Sequence, residues 1–131
     1  SNFIKNKKLN EKQILQILHG IIMALIYTHS TMKISHLTLN LNSIIIDKEF
    51  NVKIINFKYG CIYSKDFDIS VNNDDDMFIY NCPEIHVKKQ FSPELADVYS
   101  CGVIVYYLCF GKVPFSLKTK IALDELIIKG D

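Results

Sequence analysis

The sequence predicts a mainly α-helical domain that carries one small β-ribbon. Three observations predict it: an early stretch with helical spacing of apolar residues, two short β-branched runs in the middle, and a later helical stretch that is apolar nearly all round. The 131 residues have room for one hydrophobic core and not for two. We therefore expect a single domain.

Residues 11–30 form the first predicted helix. Asn10 stands just before it, where a side-chain oxygen can cap the first backbone N–H groups. Its apolar positions recur at helical spacing: Ile14, Leu15, Leu18, Ile21, Ile22, Leu25 and Ile26. We expect a long, largely buried helix.

Residues 43–46 and 52–55 are the two β-branched runs. The five residues between them, 47–51, are mostly polar and typical of a turn. This pattern predicts a two-stranded antiparallel ribbon.

From residue 58 to residue 76 the sequence has no periodicity. The acidic run at residues 72–76 lacks the ligand spacing of a metal site and indicates a solvated loop. We expect residues 59–77 to be the least ordered interior segment.

Residues 96–110 are apolar on nearly every side, which is typical of a helix at the centre of a domain. Gly111 follows as a stop signal, with Pro114 just beyond it. We expect this helix to be the most buried one. A last amphipathic stretch covers residues 119–129 and ends at Gly130.

The composition favours a soluble globular protein. Apolar residues make up 49% and charged residues 22%, and the net charge is +1, which argues against disorder and against nucleic-acid binding. The four cysteines have no ligand spacing, so we expect inert thiols and no metal. No leader is recognised and no apolar run reaches about 18 residues, so the expected location is cytoplasmic, with no membrane contact.

Four short motifs follow one another along the chain. Residues 34–47, ISHLTLNLNSIIID, resemble the catalytic loop of protein kinases and the strand after it, and residues 52–58, VKIINFK, resemble the strand that enters the Asp-Phe-Gly motif of that family. Residues 82–84, CPE, resemble Ala-Pro-Glu. Residues 97–104, DVYSCGVI, with 111–115, GKVPF, resemble the central buried helix and its exit. The residues of these later motifs are most similar to those of the calcium- and calmodulin-dependent kinase group.

The resemblance implies that residues 1–131 are a partial protein-kinase-like domain. They correspond to the large C-terminal lobe, with the ribbon carrying the catalytic-loop and Asp-Phe-Gly positions. The small lobe and the final helices of the large lobe are absent from the match, so a small lobe is expected in the full-length chain.

The resemblance also implies which positions would carry phosphoryl transfer. The catalytic base is an Asp in the family and Thr38 here, whose hydroxyl does not ionise usefully near neutral pH. The Mg²⁺-binding Asn of the loop corresponds to Ser43. The Asp of Asp-Phe-Gly corresponds to Asn56, which lacks the anionic oxygens that Mg²⁺ prefers.

Three further positions depart from the family or need no ligand. The loop Lys corresponds to Asn40, and the Arg beside the base corresponds to Leu37, which removes the usual docking point for a phosphorylated activation loop. Ile45 would form the floor under an adenine ring, although an Ile in a buried strand needs no nucleotide to explain it. We expect no metal, and ATP and Mg²⁺ only if the site works in an unorthodox way.

Scaffold positions match the family better. His36 and Phe57 resemble a stacked core pair, and Asp97 resembles the acid that accepts backbone N–H bonds from the catalytic loop. Glu84 would pair with an Arg outside this chain, so it is expected to be exposed or unpaired here.

The sequence therefore predicts a catalytically impaired kinase-like module with a regulatory or protein-interaction role and a protein partner. One alternative is an active serine/threonine kinase with an unorthodox site, and another is a degenerate gene fragment without a selected role. Misalignment is the rival explanation of the lost carboxylates, with Asp47 as the one nearby candidate, although it is expected at the ribbon turn.

Overall fold

The computed structural model describes residues 8–62, 79–86 and 90–114. Three α-helices, two short antiparallel sheets and several tight turns make up this part of the chain. The helices are α1 (Glu11–Ile26), α2 (Pro83–His86) and α3 (Pro93–Phe110), and the strands are β1 (Ile34–Ser35), β2 (Ile44–Ile46), β3 (Val52–Ile54) and β4 (Cys61–Ile62). The predicted amphipathic stretch at 119–129 and the acidic run at 72–76 lie outside the described residues.

Helix α1 begins as predicted. The Asn10 side chain accepts from the Gln13 backbone N–H at 2.9 Å, while the Gln13 side chain accepts from the Asn10 N–H at 3.0 Å. This reciprocal capping box satisfies two of the backbone donors that have no partner inside the helix. Beyond Ile26 the chain winds into a π-helix, Tyr27–Met32, and ends at Lys33 in the left-handed region.

Only one face of α1 is buried, so the prediction of a largely buried helix is wrong for part of it. Ile17, Ile21 and Leu25 lie in the core. Ile17 is not among the apolar positions from which the buried helix is predicted, whereas the exposed residues Leu15, Ile22 and Ile26 are. The helix is apolar on more than one side, and the described chain covers only the side that faces β3 and α3.

The ribbon predicted from the β-branched runs is present. Strands β2 and β3 pair antiparallel, with Ile44 opposite Ile54 and Ile46 opposite Val52. The turn between them is closed by the Asp47 carboxylate, which accepts from the backbone N–H groups of Glu49 (3.0 Å) and Asn51 (2.8 Å). Helix α1 approaches β3 closely at Gly20, where an added Cβ would lie 2.8 Å from the Val52 Cβ.

A second sheet was not predicted. Strand β1 pairs antiparallel with β4, placing Ile34 opposite Ile62 and Ser35 opposite Cys61. Each strand has only two residues, too few for alternation to be visible in the sequence. The pairing involves the start of the segment predicted to be least ordered, and the rest of that segment, residues 63–77, lies outside the described residues.

Helix α3 matches the predicted central helix and begins three residues earlier, at Pro93. The Ser92 hydroxyl accepts from the Leu95 N–H, and Gly111 ends the helix with φ of 68°. Its buried residues are Ala96, Asp97, Ser100, Cys101, Val103, Ile104 and Leu108. The expectation of burial all round is wrong for Val98 and Phe110, which are exposed.

The core is shared by α1, α3 and the ribbon. Ile17, Ile21, Ile44 and Ile104 are almost fully buried in it. The sequence expectation about membrane spans needs a correction, because residues Glu11–Met32 are helical, long enough and apolar enough to cross a membrane by length and composition alone. A core helix meets the same criterion, and three residues of α1 contribute to this core.

Candidate functional site

The predicted catalytic loop lies between β1 and β2 and is attached to α3 by Asp97. The Asp97 carboxylate is fully buried. Its Oδ2 accepts from the His36 backbone N–H at 2.7 Å, and its Oδ1 accepts from the Leu37 N–H at 2.8 Å. Asp97 therefore holds the loop as the sequence predicted.

A third donor reaches the same carboxylate from the π-helix. Nε2 of His29 lies 2.8 Å from Oδ2 of Asp97. No sequence motif indicates this role of His29, because only the fold brings residues that are 68 positions apart into contact. Three donors from two segments thus surround a carboxylate that would otherwise be very costly to bury.

Leu37 occupies an unusual backbone conformation with an apolar environment. Its φ is 63°, in the left-handed region that a branched side chain rarely adopts. Its side chain belongs to a buried cluster with Cys82, Ile85 and Ala96. The position where the family has an Arg therefore links the loop to α2 and α3 by apolar packing, and the hydrogen bond to Asp97 offsets part of the backbone strain.

The predicted pair of His36 and Phe57 is confirmed as a ring contact. The ring centroids lie 4.5 Å apart, with the planes tilted by 54°. His36 Nε2 lies 2.8 Å from the Ile55 carbonyl oxygen, and since a carbonyl only accepts, Nε2 carries a hydrogen and donates it. Nδ1 is then left to accept from the Thr38 backbone N–H at 3.3 Å.

Thr38, at the base position, is turned inward. The side chain is buried, and its Oγ1 lies 3.4 Å from His36 Nδ1. Its carbonyl oxygen accepts from the Asn40 Nδ2 at 2.7 Å. Both the hydroxyl and the backbone of Thr38 are thus engaged inside the loop.

Asn40 and Ser43 are bonded to each other. The Ser43 hydroxyl accepts from the Asn40 backbone N–H and donates to the Asn40 carbonyl, each at 2.8 Å. The Asn40 Oδ1 accepts from the Asn42 N–H at 2.7 Å. The structure therefore brings Thr38, Asn40 and Ser43 together in one buried hydrogen-bonded group.

The two predicted cofactor positions are exposed, unlike the three buried residues of this group. Ile45 points to the outer face of β2, is 49% exposed, and stands opposite Lys53 on β3. Asn56 is exposed, with φ of 66°, immediately before the turn Phe57–Tyr59. Because Ile45 is exposed, the interpretation of it as an ordinary buried-strand residue is wrong for the described chain.

The donor set at these positions does not suit Mg²⁺. Thr38, Ser43 and Asn56 offer only neutral oxygens, whereas Mg²⁺ prefers carboxylates, and the Ser43 hydroxyl already makes two hydrogen bonds. Across the ranges 8–62, 79–86 and 90–114, no group of three or more His, Cys, Asp or Glu side chains is arranged to hold a metal ion.

Asp47 and Glu84, the two other acids considered in the sequence, lie where the sequence predicts. Asp47 lies at the ribbon turn as expected, and its carboxylate also accepts from Asn51 Nδ2 at 2.8 Å. Glu84 is exposed in α2, as expected.

The cysteine side chains described, Cys82, Cys101 and Cys109, are free thiols, and burial raises the pKa of both Cys82 and Cys101 to about 11.

Comparison with known proteins agrees with this geometry. The chain is 33% identical over 128 residues to protein kinase kin1 of Schizosaccharomyces pombe, which covers 97% of the chain and 14% of that relative. It is 28% identical over 126 residues to the probable serine/threonine-protein kinase MARK-B of Dictyostelium discoideum. That alignment covers 95% of the chain and 17% of that relative. The CBL-interacting protein kinase 21 of Oryza sativa subsp. japonica is 26% identical to the chain over 125 residues. That alignment covers 95% of the chain and 24% of that relative.

The chain thus spans between about a seventh and a quarter of the length of these three relatives. The family model described as the protein kinase domain matches residues 1–130. The predicted fold class, a mainly helical kinase-like lobe with a small ribbon, is confirmed. The chain belongs to the protein kinase domain family.

Proposed function

We propose that the chain is part of a pseudokinase, a kinase-fold protein that does not transfer phosphate and acts through protein contacts. The observation that carries this proposal is the inward hydrogen bonding of Thr38, Asn40 and Ser43. A catalytic loop has to direct polar groups at the substrate hydroxyl and the phosphate. Here those polar groups are spent on the loop itself.

Charge at the site supports the same proposal. The base must accept a proton and the metal ligands must attract a divalent cation, yet Thr38, Ser43 and Asn56 carry no formal charge. Asp47 is a poor substitute, because three hydrogen bonds tie its carboxylate to residues of its own turn. These bonds also hold the pKa of Asp47 below its usual value, which makes it a weaker base.

The scaffold, in contrast, is intact. Asp97 still holds the loop backbone and His36 still contacts Phe57. A lobe that keeps its packing without its ionisable groups is suited to present a surface to a protein partner. We accordingly propose a regulatory role in the cytoplasm, with a small lobe completing the domain, and with no bound metal and no nucleic-acid or membrane partner.

The test is transfer of labelled phosphate from ATP, with Mg²⁺ and with Mn²⁺, using the full-length protein that includes the small lobe. We expect no transfer above a control without enzyme. Removing base, metal ligands and loop Lys together costs many powers of ten, and each power of ten is about 1.4 kcal/mol of barrier.

Thr38→Ala is the matched variant. Transfer that this substitution abolishes would overturn the proposal, because Thr38 would then take part in catalysis and the active-kinase alternative would hold. Gain of transfer in the Thr38→Asp, Asn56→Asp double variant would support it, because the missing carboxylates would then account for the inactivity.

A further inference from the structure

We infer that Asn40 and Ser43 form a reciprocal lock that fixes the backbone of residues 38–43, so that neither position can be changed without releasing the other. This inference goes beyond the proposed function, since it concerns the folding of the loop. It would hold whether or not the protein transfers phosphate.

The first half of the lock is the Ser43 hydroxyl. It accepts from the Asn40 backbone N–H and donates to the Asn40 carbonyl, both at 2.8 Å. The Ser43 backbone N–H reaches the same carbonyl at 3.1 Å. One small side chain therefore satisfies both backbone groups of Asn40.

The second half is the Asn40 side chain. Its Oδ1 accepts from the Asn42 N–H and its Nδ2 donates to the Thr38 carbonyl, both at 2.7 Å. The amide thus bridges the residue before the loop bend and the residue after it. The backbone of Asn40 is extended, as an N-cap requires, with φ of −156° and ψ of 177°.

Burial makes the two halves depend on each other. Asn40 is 8% exposed and Ser43 is 1% exposed, so water cannot replace a lost partner at either residue. If the Ser43 hydroxyl is removed, the Asn40 backbone loses its fixed position and its side chain can no longer reach both Thr38 and Asn42. The Ser43 carbonyl also accepts from the Ile55 N–H at 2.9 Å, which attaches the lock to the end of β3.

The test measures native-state hydrogen exchange at two backbone amides in the whole chain. The Asn40 amide reports the bond to Ser43 Oγ, and the Asn42 amide reports the bond to Asn40 Oδ1. We expect Ser43→Ala to accelerate exchange at Asn42 as well as at Asn40, by about tenfold, the order expected for loss of a capping bond. Asn40→Ala should likewise accelerate both amides.

Asn42→Ala is the matched control, because Asn42 lies in the same turn with an exposed side chain. It should leave the Asn40 amide unchanged. Acceleration of only the Asn40 amide in Ser43→Ala would overturn the lock, because the two bonds would then be independent.

The Ile21 amide in the core of α1 separates local from global opening. If Ile21 accelerates in step with the loop, the alanine variant has destabilised the whole fold, and Asn40→Asp then decides. That variant keeps an oxygen for the Asn42 N–H and loses the donor to Thr38. If the two halves are coupled, loss of the bond to Thr38 should accelerate exchange at the Asn40 amide, which reports the bond to Ser43 Oγ, more than at Ile21. An Asn40 amide that exchanges no faster than in the original chain overturns the lock.

Discussion

Nε2 of His29 lies 2.8 Å from Oδ2 of Asp97, so the π-helix that follows α1 supplies a third donor to the carboxylate that holds the catalytic loop. The carboxylate is fully buried and the imidazole is 14% exposed, which leaves water little access to either group. The Asp97 carboxylate therefore connects the π-helix, the catalytic loop and α3.

His29→Ala should destabilise the protein. It leaves a buried carboxylate short of one donor, which costs about 1–3 kcal/mol. The check is the urea midpoint of unfolding, with His19→Ala as the control, since His19 is exposed on α1, the helix that precedes the π-helix. His29→Gln, which retains an N–H donor, should recover part of the loss. Equal midpoints for His29→Ala and His19→Ala would show that the contact adds no stability.

Two glycine substitutions should act in opposite directions. At Gly20 a new Cβ would lie 2.8 Å from the Val52 Cβ, so Gly20→Ala forces α1 away from β3 and should cost about 1–3 kcal/mol. At Gly102, in α3, a new Cβ meets no described atom within 4 Å, so Gly102→Ala should gain up to about 1 kcal/mol from helix propensity. Thermal unfolding of both variants measures the difference. A stabilising Gly20→Ala would contradict the close approach.

The cysteines should differ in reactivity. Burial raises the pKa of Cys82 and of Cys101 to about 11, so both stay protonated and shielded near pH 8. Cys109 is exposed. Iodoacetamide followed by mass spectrometry should find Cys109 modified in the folded protein, and Cys82 and Cys101 modified only after addition of urea. Early labelling of Cys101 in the folded protein would contradict its position in the core.

Asp47 should make the stability of the fold depend on pH in the acidic range. The hydrogen bond from the Asn51 side chain, the largest cause, and those from backbone N–H groups hold the pKa of Asp47 below its usual value. A lowered folded-state pKa contributes stability that is present above the unfolded-state pKa and is lost as the pH falls through the folded-state pKa. Asn51→Ala should raise the pKa, and its stability deficit should shrink as the pH falls from about 6 to about 2.

Nuclear magnetic resonance titration of the Asp47 carboxyl and urea midpoints along the same pH series provide the two measurements. Asn42→Ala is the control, because it leaves the ribbon turn untouched. A deficit for Asn51→Ala that stays constant as Asp47 is protonated would rule out this contribution.

Much of the fold could be predicted because strong local signals agreed with the tertiary structure. The N-cap at Asn10, the ribbon and the stop at Gly111 each depend on a few neighbouring residues. The contacts of Asp97 with the loop and of His36 with Phe57 were implied by the resemblance of these residues to positions of the kinase family.

The failures have physical causes as well. Helix α1 is apolar on several sides, so periodicity could not distinguish the buried Ile17 from the exposed Leu15. The contact between His29 and Asp97 depends on the π-helix, which has no simple sequence signature. At the site, the sequence identified Asn40 and Ser43 as departures from the family, but their mutual bonds depend on a loop conformation that spacing does not reveal.

The π-helix also makes one end of α1 tolerant of changes in chain length. A π-turn closes i→i+5 hydrogen bonds and so accommodates one residue more than an α-turn. Losing a residue from the exposed part, 30–32, would leave an ordinary α-turn as the alternative winding. The same deletion between Ile17 and Ile21 would rotate the following core side chains by about 100° around the helix axis. Insertions and deletions in homologous chains should therefore collect at the π-helix and be excluded from the α-helical part.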